Sequence, residues 1–254
     1  MKDEQLNELL AKPQFPRSAK YPGRWIIDNQ MGLHALWLTE WLGQAIDLRP
    51  GMRVLDLACG KGLSSIFLAR EFGVQVWAGD LWISATENRQ RIDEAGVSES
   101  VFPLQLDARK LPFCEGFFDV IVCIDAYIYF GTDDLYLDYL YRFLKPGGTL
   151  AIAVPGFMQE VGDTLPKHLL PFWAQECWTW HTVGWWRRLW ERTGLVRVEV
   201  ADAMPDGCML WRDWKQARRA AGDERPSVQT DIQVLEEDRG RYMGFVRVVA
   251  RRVM

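Results

Sequence analysis

The stretch Val54-Leu55-Asp56-Leu57-Ala58-Cys59-Gly60-Lys61-Gly62 reads as a short apolar strand that ends in small residues and opens onto a helix. Small residues let the backbone approach a ligand closely, and the unpaired N–H groups of a helix start favour an anionic group. Asp80 closes a second apolar run and Asp107 follows a third. An acid after the second strand can accept hydrogen bonds from both ribose hydroxyls of an adenosine-containing ligand. A glycine turn alone is a weak signal and serves packing as readily as binding. Its coincidence with Asp56, Asp80 and Asp107 at successive strand ends puts all of them on the edge where open α/β sheets bind ligands.

Alternating helices and strands must position these residues. Residues 30–47 carry apolar side chains at helical spacing, and Arg49-Pro50-Gly51 breaks the pattern. The expected order is then strand 54–57, helix 63–72, strand 74–78, helix 84–95, strand 101–106 and strand 120–124. A helix over 133–144, stopped by Lys145-Pro146-Gly147-Gly148, leads to a strand over 149–154. Short, almost continuously apolar strands separated by helices imply a parallel sheet covered on both faces. Beyond residue 155 comes a Pro- and Trp-rich stretch to 182, a helix over 183–193 and a strand over 196–202. A mixed region spans 203–239, and an alternating strand spans Tyr242 to Arg251. Glu236–Gly240 and 219–227 read as solvated loops.

Composition narrows the function. The 254 residues carry a formal net charge of −4, with 48% hydrophobic and 25% charged residues, as in an ordinary globular chain. No basic patch is evident, which argues against nucleic acid as a partner. Cys59, Cys114, Cys123, Cys177 and Cys208 form no C-x-x-C pair and only three His are present, so neither a disulfide framework nor a metal site is expected. A polar start and the lack of any run of about 18 apolar residues lead to the expectation of a cytoplasmic protein without a membrane span. The oligomeric state does not follow from the sequence.

Five ordered segments resemble the class I S-adenosylmethionine-dependent methyltransferases, in the small-molecule group that includes the ubiquinone-biosynthesis and cyclopropane-synthase-like families. They are V-L-D-L-A-C-G-K-G (54–62), V-W-A-G-D (76–80), L-D-A-R-K-L-P-F (106–113), F-D-V-I-V-C-I-D-A (118–126) and L-K-P-G-G-T-L (144–150). The resemblance implies a Rossmann-like, doubly wound α/β fold: a seven-stranded, mostly parallel sheet with an antiparallel last strand and a helical, aromatic-rich cap. It divides the chain into N-terminal cap helices (1–48), a cofactor-binding core (49–155), cap or lid insertions (156–182 and 203–239) and the completion of the core sheet (183–202 and 240–254). It also implies S-adenosylmethionine as cofactor and a small molecule as substrate.

Carried over by position, Asp56, Ala58, Gly60 and Gly62 would lie along the methionine part of the cofactor. Asp80 would hold the ribose and Asp107 the adenine amino group, with Ala108 beside the ring and Leu81 and Trp82 as an apolar wall. Ala58 stands where the family usually has Gly. The segment 124–130 would lie beside the transferable methyl. Asp125 there could orient an amine, act as base or contact the cofactor's ammonium, and Tyr127 is the next catalytic candidate.

Histidine is the usual general base near neutral pH. His181 is the first candidate among the three, because it lies in the Trp-rich insert. His34 falls on an amphipathic helix, and His168, in a Pro-flanked loop, reads as solvated. Trp173, Trp178, Trp180, Trp185, Trp186, Trp190, Trp211 and Trp214 are concentrated in the same part of the chain, which holds 13 Trp in all. They could form an aromatic lid over a flat or cationic substrate, or simply pack the cap onto the sheet. The leading reading is methyl transfer to a small amine, phenol or heterocycle. Two alternatives stand beside it: a non-catalytic S-adenosylmethionine-binding protein, and an NAD(P)-dependent oxidoreductase. The third Gly of a dinucleotide loop is absent after Gly62, and the Tyr141…Lys145 spacing of short-chain reductases falls at a helix end.

Overall fold

The apolar runs assemble into one sheet. The computed structural model describes residues 2–253; Met1 and Met254, at the outer ends of the first and last expected segments, lie outside the described residues. Strands β1 (Arg53–Leu57), β2 (Gln75–Asp80), β3 (Val101–Gln105), β4 (Phe118–Ile124), β5 (Leu144–Phe157), β6 (Val196–Ala203) and β7 (Met243–Arg252) lie in the order β3-β2-β1-β4-β5-β7-β6. The pairs from β3 to β5 are parallel, and β7 runs antiparallel to both of its neighbours. This is the mostly parallel sheet with an antiparallel last strand that the sequence led one to expect.

Helices α1 (Asp3–Leu10), α2 (Gly23–Asn29) and α3 (Ala35–Gly43) precede the sheet. Helix α4 (Leu63–Phe72) starts at Gly62 and stops at Gly73, both left-handed, and it packs on β2 and β3. Helix α5 (Ala85–Glu94) is fixed at its start by a capping box between Ser84 and Glu87. Helix α3 uses a rarer cap: the His34 ring accepts the Trp37 N–H at 3.1 Å and stacks on the Trp37 ring. The helix expected over 133–144 is shorter, with α6 confined to Tyr136–Leu140 and a single 3-10 turn after it. Tyr136, Leu137, Leu140 and Phe143 all turn inward there, and burial rather than helix propensity shapes the segment.

The C-terminal third is where the structure departs most from the sequence reading. Helices α7 (Val183–Glu191), α8 (Gly207–Ala220) and α9 (Pro226–Asp238) follow, so the mixed region is largely helical. Glu236 to Asp238 is helix, not loop. Asp238 is fully buried, and its carboxylate accepts the N–H groups of Gly240 at 3.1 Å and Met243 at 2.9 Å, and that of Tyr242. His168, expected to be solvated, is buried against the same carboxylate at 2.9 Å. A charged residue found in a polar run reads as exposed unless its partners are known, and here they come from the turn after α9 and from a distant loop.

Asp238→Ala takes the acceptor from three backbone N–H groups, that of Met243 fully buried and those of Gly240 and Tyr242 partly so. It should cost about 3 kcal/mol or more, a fall of roughly 6–12 °C in Tm, measured by thermal denaturation.

Candidate functional site

The winding of the sheet reverses at β1, which has β2 on one side and β4 on the other. Connections leave that point in opposite directions and open a crevice at the carboxyl ends of the strands. A cavity of about 300 Å³ lies there, lined by residues that follow β1, β2, β3 and β4 and roofed by the segment from Asn29 to Ala35.

Of the sequence-derived candidates, Ala58, Gly60, Asp80, Leu81, Trp82, Asp107, Ala108 and Asp125 all line this cavity. Ala58, Gly60 and Gly62 have φ of 60°, 55° and 79°, so the loop after β1 turns through the left-handed region to expose its backbone. Ala58 is the one non-glycine among the three, which gives the family's preference for Gly at this position a physical cause. The Asp80 carboxylate holds the loop in place. Its Oδ2 accepts the Gly60 N–H at 2.8 Å, and Oδ1 accepts the N–H groups of Trp82 and Ile83 at 2.8 and 2.9 Å. A carboxylate has about four acceptor positions, so room remains for a ligand hydroxyl. Asp107 accepts the Arg109 N–H at 2.8 Å through Oδ1.

Asp56 lies beneath the loop rather than in the cavity lining. It is fully buried, and its Oδ2 accepts hydrogen bonds from the hydroxyls of Ser64 and Ser65, both at 2.6 Å. Oδ1 has no partner, and burial pushes the group up to about 6. Gly62 likewise serves the turn into α4 and does not line the cavity.

Asp125 has φ 66°, a left-handed residue at the end of β4 that aims its side chain across the crevice. Its Oδ2 accepts the Leu33 N–H at 3.0 Å. A Cβ on Gly32 would stand 2.3 Å from that oxygen, so only glycine lets the roof come this close. Burial raises Asp125 to about 7, opposed by the Leu33 hydrogen bond and the charge of Lys215, and reinforced by Glu176.

The other two catalytic candidates lie elsewhere. Tyr127 is fully buried with an unpartnered hydroxyl, its ring 5.7 Å from Trp186 and 5.8 Å from Trp190. His181 stacks on Trp185 at 3.5 Å, its pKa is lowered by burial, and it does not line the cavity. The tryptophans of the insert are also mostly core. Trp186, Trp190 and Trp214 are fully buried, Trp180 and Trp211 nearly so, and Trp82 is the one tryptophan among the described lining residues. Among the tryptophans of the insert, Trp178 alone is strongly exposed, at 67%.

Sequence reasoning missed the roof. Asn29, Met31, Gly32 and Leu33 line the cavity, and Lys61 donates to the Asp28 carbonyl at 3.0 Å to hold them down. From the far side, the Gly32 carbonyl accepts Trp214 Nε1 at 3.0 Å and an Arg218 guanidinium N–H at 3.4 Å. No local motif marks this segment, because its partners are distant in sequence. Arg109, Tyr129 and Phe130 were also missed, although each lies within a motif already singled out.

The polar set fits S-adenosylmethionine. An orphaned buried Asp56 oxygen, a cradle of left-handed small residues and acids after β2 and β3 match a ligand with an aminoacyl end, a ribose and an adenine. Residues 54–148 match the family described as a methyltransferase domain, as the resemblance implied. The methyltransferase GfsG of Streptomyces halstedii is 34% identical over 132 residues, covering 50% of this chain and 48% of that protein. The chain thus spans about half the length of the curated relatives it matches. The phosphoethanolamine N-methyltransferase 2 of Haemonchus contortus, solved with S-adenosyl-L-methionine, superposes with a TM-score of 0.71 at 18% identity, covering 98% of this chain and 60% of that one. The geranyl diphosphate C-methyltransferase of Streptomyces coelicolor, solved with S-adenosyl-L-homocysteine, gives 0.67 at 17% identity, with 97% and 86% covered. The Rossmann-like methyltransferase fold is therefore that of this chain. No helix among the described residues is long and apolar enough to cross a membrane.

Two outcomes test this geometry. Ala58→Gly relieves a left-handed alanine at some entropic cost and should stabilise the protein by about 0.5–1 kcal/mol, seen as a higher Tm. The Asp125 carboxyl is raised in the fold from about 3.9 in the unfolded chain to about 7. The folded state therefore binds the proton more tightly, and stability from this group is full below pH 4 and lost as pH rises through 7. Asp125→Asn should consequently raise Tm relative to the parent at pH 8, and the gain should vanish near pH 4.

Proposed function

We propose that this chain, whose residues 54–148 match a methyltransferase domain, transfers a methyl group from S-adenosylmethionine to a small-molecule nucleophile. One observation carries the reading: a single cavity at the reversal of the sheet gathers the Ala58–Gly60 loop, Asp80, Asp107 and Asp125. In this reading residues 49–155 hold the cofactor, while 156–182 and 203–239 contribute no lining residue and act from behind it, through the Gln175–Thr179 turn and through the Trp214 and Arg218 bonds to the Gly32 carbonyl. Asp80 receives the ribose, Asp107 and Ala108 the adenine, and Leu81 and Trp82 wall the ring. The loop N–H groups, with Asp56 beneath, receive the aminoacyl end.

When bound, the sulfonium supplies an activated methyl with a good leaving group, so the protein must mainly align the acceptor, exclude water and manage a proton. Asp125 meets those needs. It lies at the end of β4 beside Tyr129 and Phe130, and its raised carboxyl is poised to take a proton near neutral pH. The roof segment from Asn29 to Leu33 covers the crevice and keeps solvent away. His181 and Tyr127 are placed for packing and leave the proton step to Asp125. The rings expected to form a lid are mostly core, and Trp178, on a short turn that does not line the cavity, is the one strongly exposed tryptophan of the insert.

Calorimetry with S-adenosylhomocysteine checks the assignment. Asp80→Ala should abolish measurable binding, because it removes the ribose acceptor and frees the Gly60 loop together. Undiminished affinity in a folded variant would falsify the site.

A further inference from the structure

We infer that the acceptor is an amine that enters as its ammonium ion, selected by the carboxylates of Asp125 and Glu176 around Tyr129. The inference rests on the methyl-transfer reading and names the acceptor for the same cavity. Asp125 and Tyr129 both line the cavity. Glu176 and Trp178 do not themselves line the cavity; they lie exposed on the 3-10 turn Gln175–Thr179, which packs against the turn Tyr127–Tyr129 at its edge. Two carboxylates and two aromatic faces are the groups that hold an organic cation.

The cations nearby do not cancel this field. Lys61 and Arg109 line the cavity as well, donating to the Asp28 and Tyr129 carbonyls, and they keep their charge, but they stand against the carboxylates of Asp80, Asp107 and Asp125. Lys215, whose charge reaches Asp125, is paired with Asp231 and does not line the cavity. Asp80 and Asp107 already accept backbone N–H groups. Asp125 accepts one, from Leu33.

Charge bookkeeping along the reaction separates amines from the other acceptors. The ammonium gives one proton to the Asp125 carboxylate. Its nitrogen lone pair then forms the bond to the methyl carbon, and the carbon–sulfur pair stays on sulfur. The positive charge moves from sulfur to nitrogen and remains facing the same carboxylates, and Asp125 later returns the proton to solvent. A phenolate or enolate acceptor would instead have to form as an anion in front of two carboxylates. Tyr129 is a phenol at this place: partial burial is the main cause that raises it, to about 12, and Asp125 and Glu176 add in the same direction.

The test uses the full chain saturated with S-adenosylhomocysteine, titrated by calorimetry with benzylamine, benzyl alcohol and phenol. Benzylamine should bind at least about tenfold more tightly than the two neutral compounds, and Glu176→Lys should remove that preference while leaving S-adenosylhomocysteine affinity and Tm unchanged. Equal or tighter binding of benzyl alcohol or phenol overturns the inference. So does silence of all three at millimolar concentration, or a preference undiminished in Glu176→Lys. Each of those results leaves the cofactor assignment standing, whereas failure of S-adenosylhomocysteine itself to bind overturns the methyl-transfer reading as well.

Discussion

Winding the sheet outward from β1, to β2 and β3 on one side and to β4 and β5 on the other, leaves one place where no crossover covers the strand ends. Backbone donors and side chains there must find partners from loops. The chain solves this with a few hydrogen bonds that each join two strands' worth of structure. The Gly60 N–H bonded to Asp80 ties the loop after β1 to the end of β2. The Leu33 N–H bonded to Asp125 ties the roof to the end of β4. Left-handed backbone at the non-glycine residues Ala58 and Asp125 is the strain this arrangement requires. It is concentrated at the crevice, where a ligand can repay it with contacts.

Three carboxylates, two fully buried and one half-buried at the cavity wall, show how different partnering yields different roles. Asp238 is saturated by three backbone N–H groups and His168, and it acts purely as a corner post between α9 and β7. Asp56 is half satisfied: two serine hydroxyls bind one oxygen and the other is left without a donor. Asp125 has a single N–H and stands at the cavity wall. Fewer internal donors mean a carboxyl that burial raises further, to about 6 at Asp56 and about 7 at Asp125. The least satisfied of these groups is the one the crevice exposes to a ligand, which is how a fold sets chemistry apart from support.

What could be read from residue order followed how local each signal is. The β1 loop and the strand-end acids were legible because a glycine turn and the acid after a strand lie within a few residues of the element that places them. The limits of α4 and the position of α7 were also legible, and the structure shows local ends there, with Gly62 and Gly73 bounding α4 and Thr182 capping α7. The roof was not, since Gly32 looks like any turn glycine until Asp125 is seen against it. Asp238 and His168 were misread because their burial depends on partners far away in sequence. Helices α8 and α9 were obscured by charged residues that are paired once folded, as Arg218 is with Asp223 and Lys215 with Asp231.

The tryptophans resolve into two populations with different work. Trp186 and Trp190 enclose Tyr127, and Trp180, Trp211 and Phe245 form a second cluster above the β7 strand. Trp214 reaches further, donating to the Gly32 carbonyl and so bracing the roof from outside the cavity. Large flat side chains are suited to this, since each buries much surface while losing few rotamers. The turn carrying Glu176 and Trp178 ends at the buried Trp180 and packs against the turn that carries Tyr129. Selectivity can then reside in a handful of side chains at the mouth. The mass of aromatic residues behind them keeps those few in place.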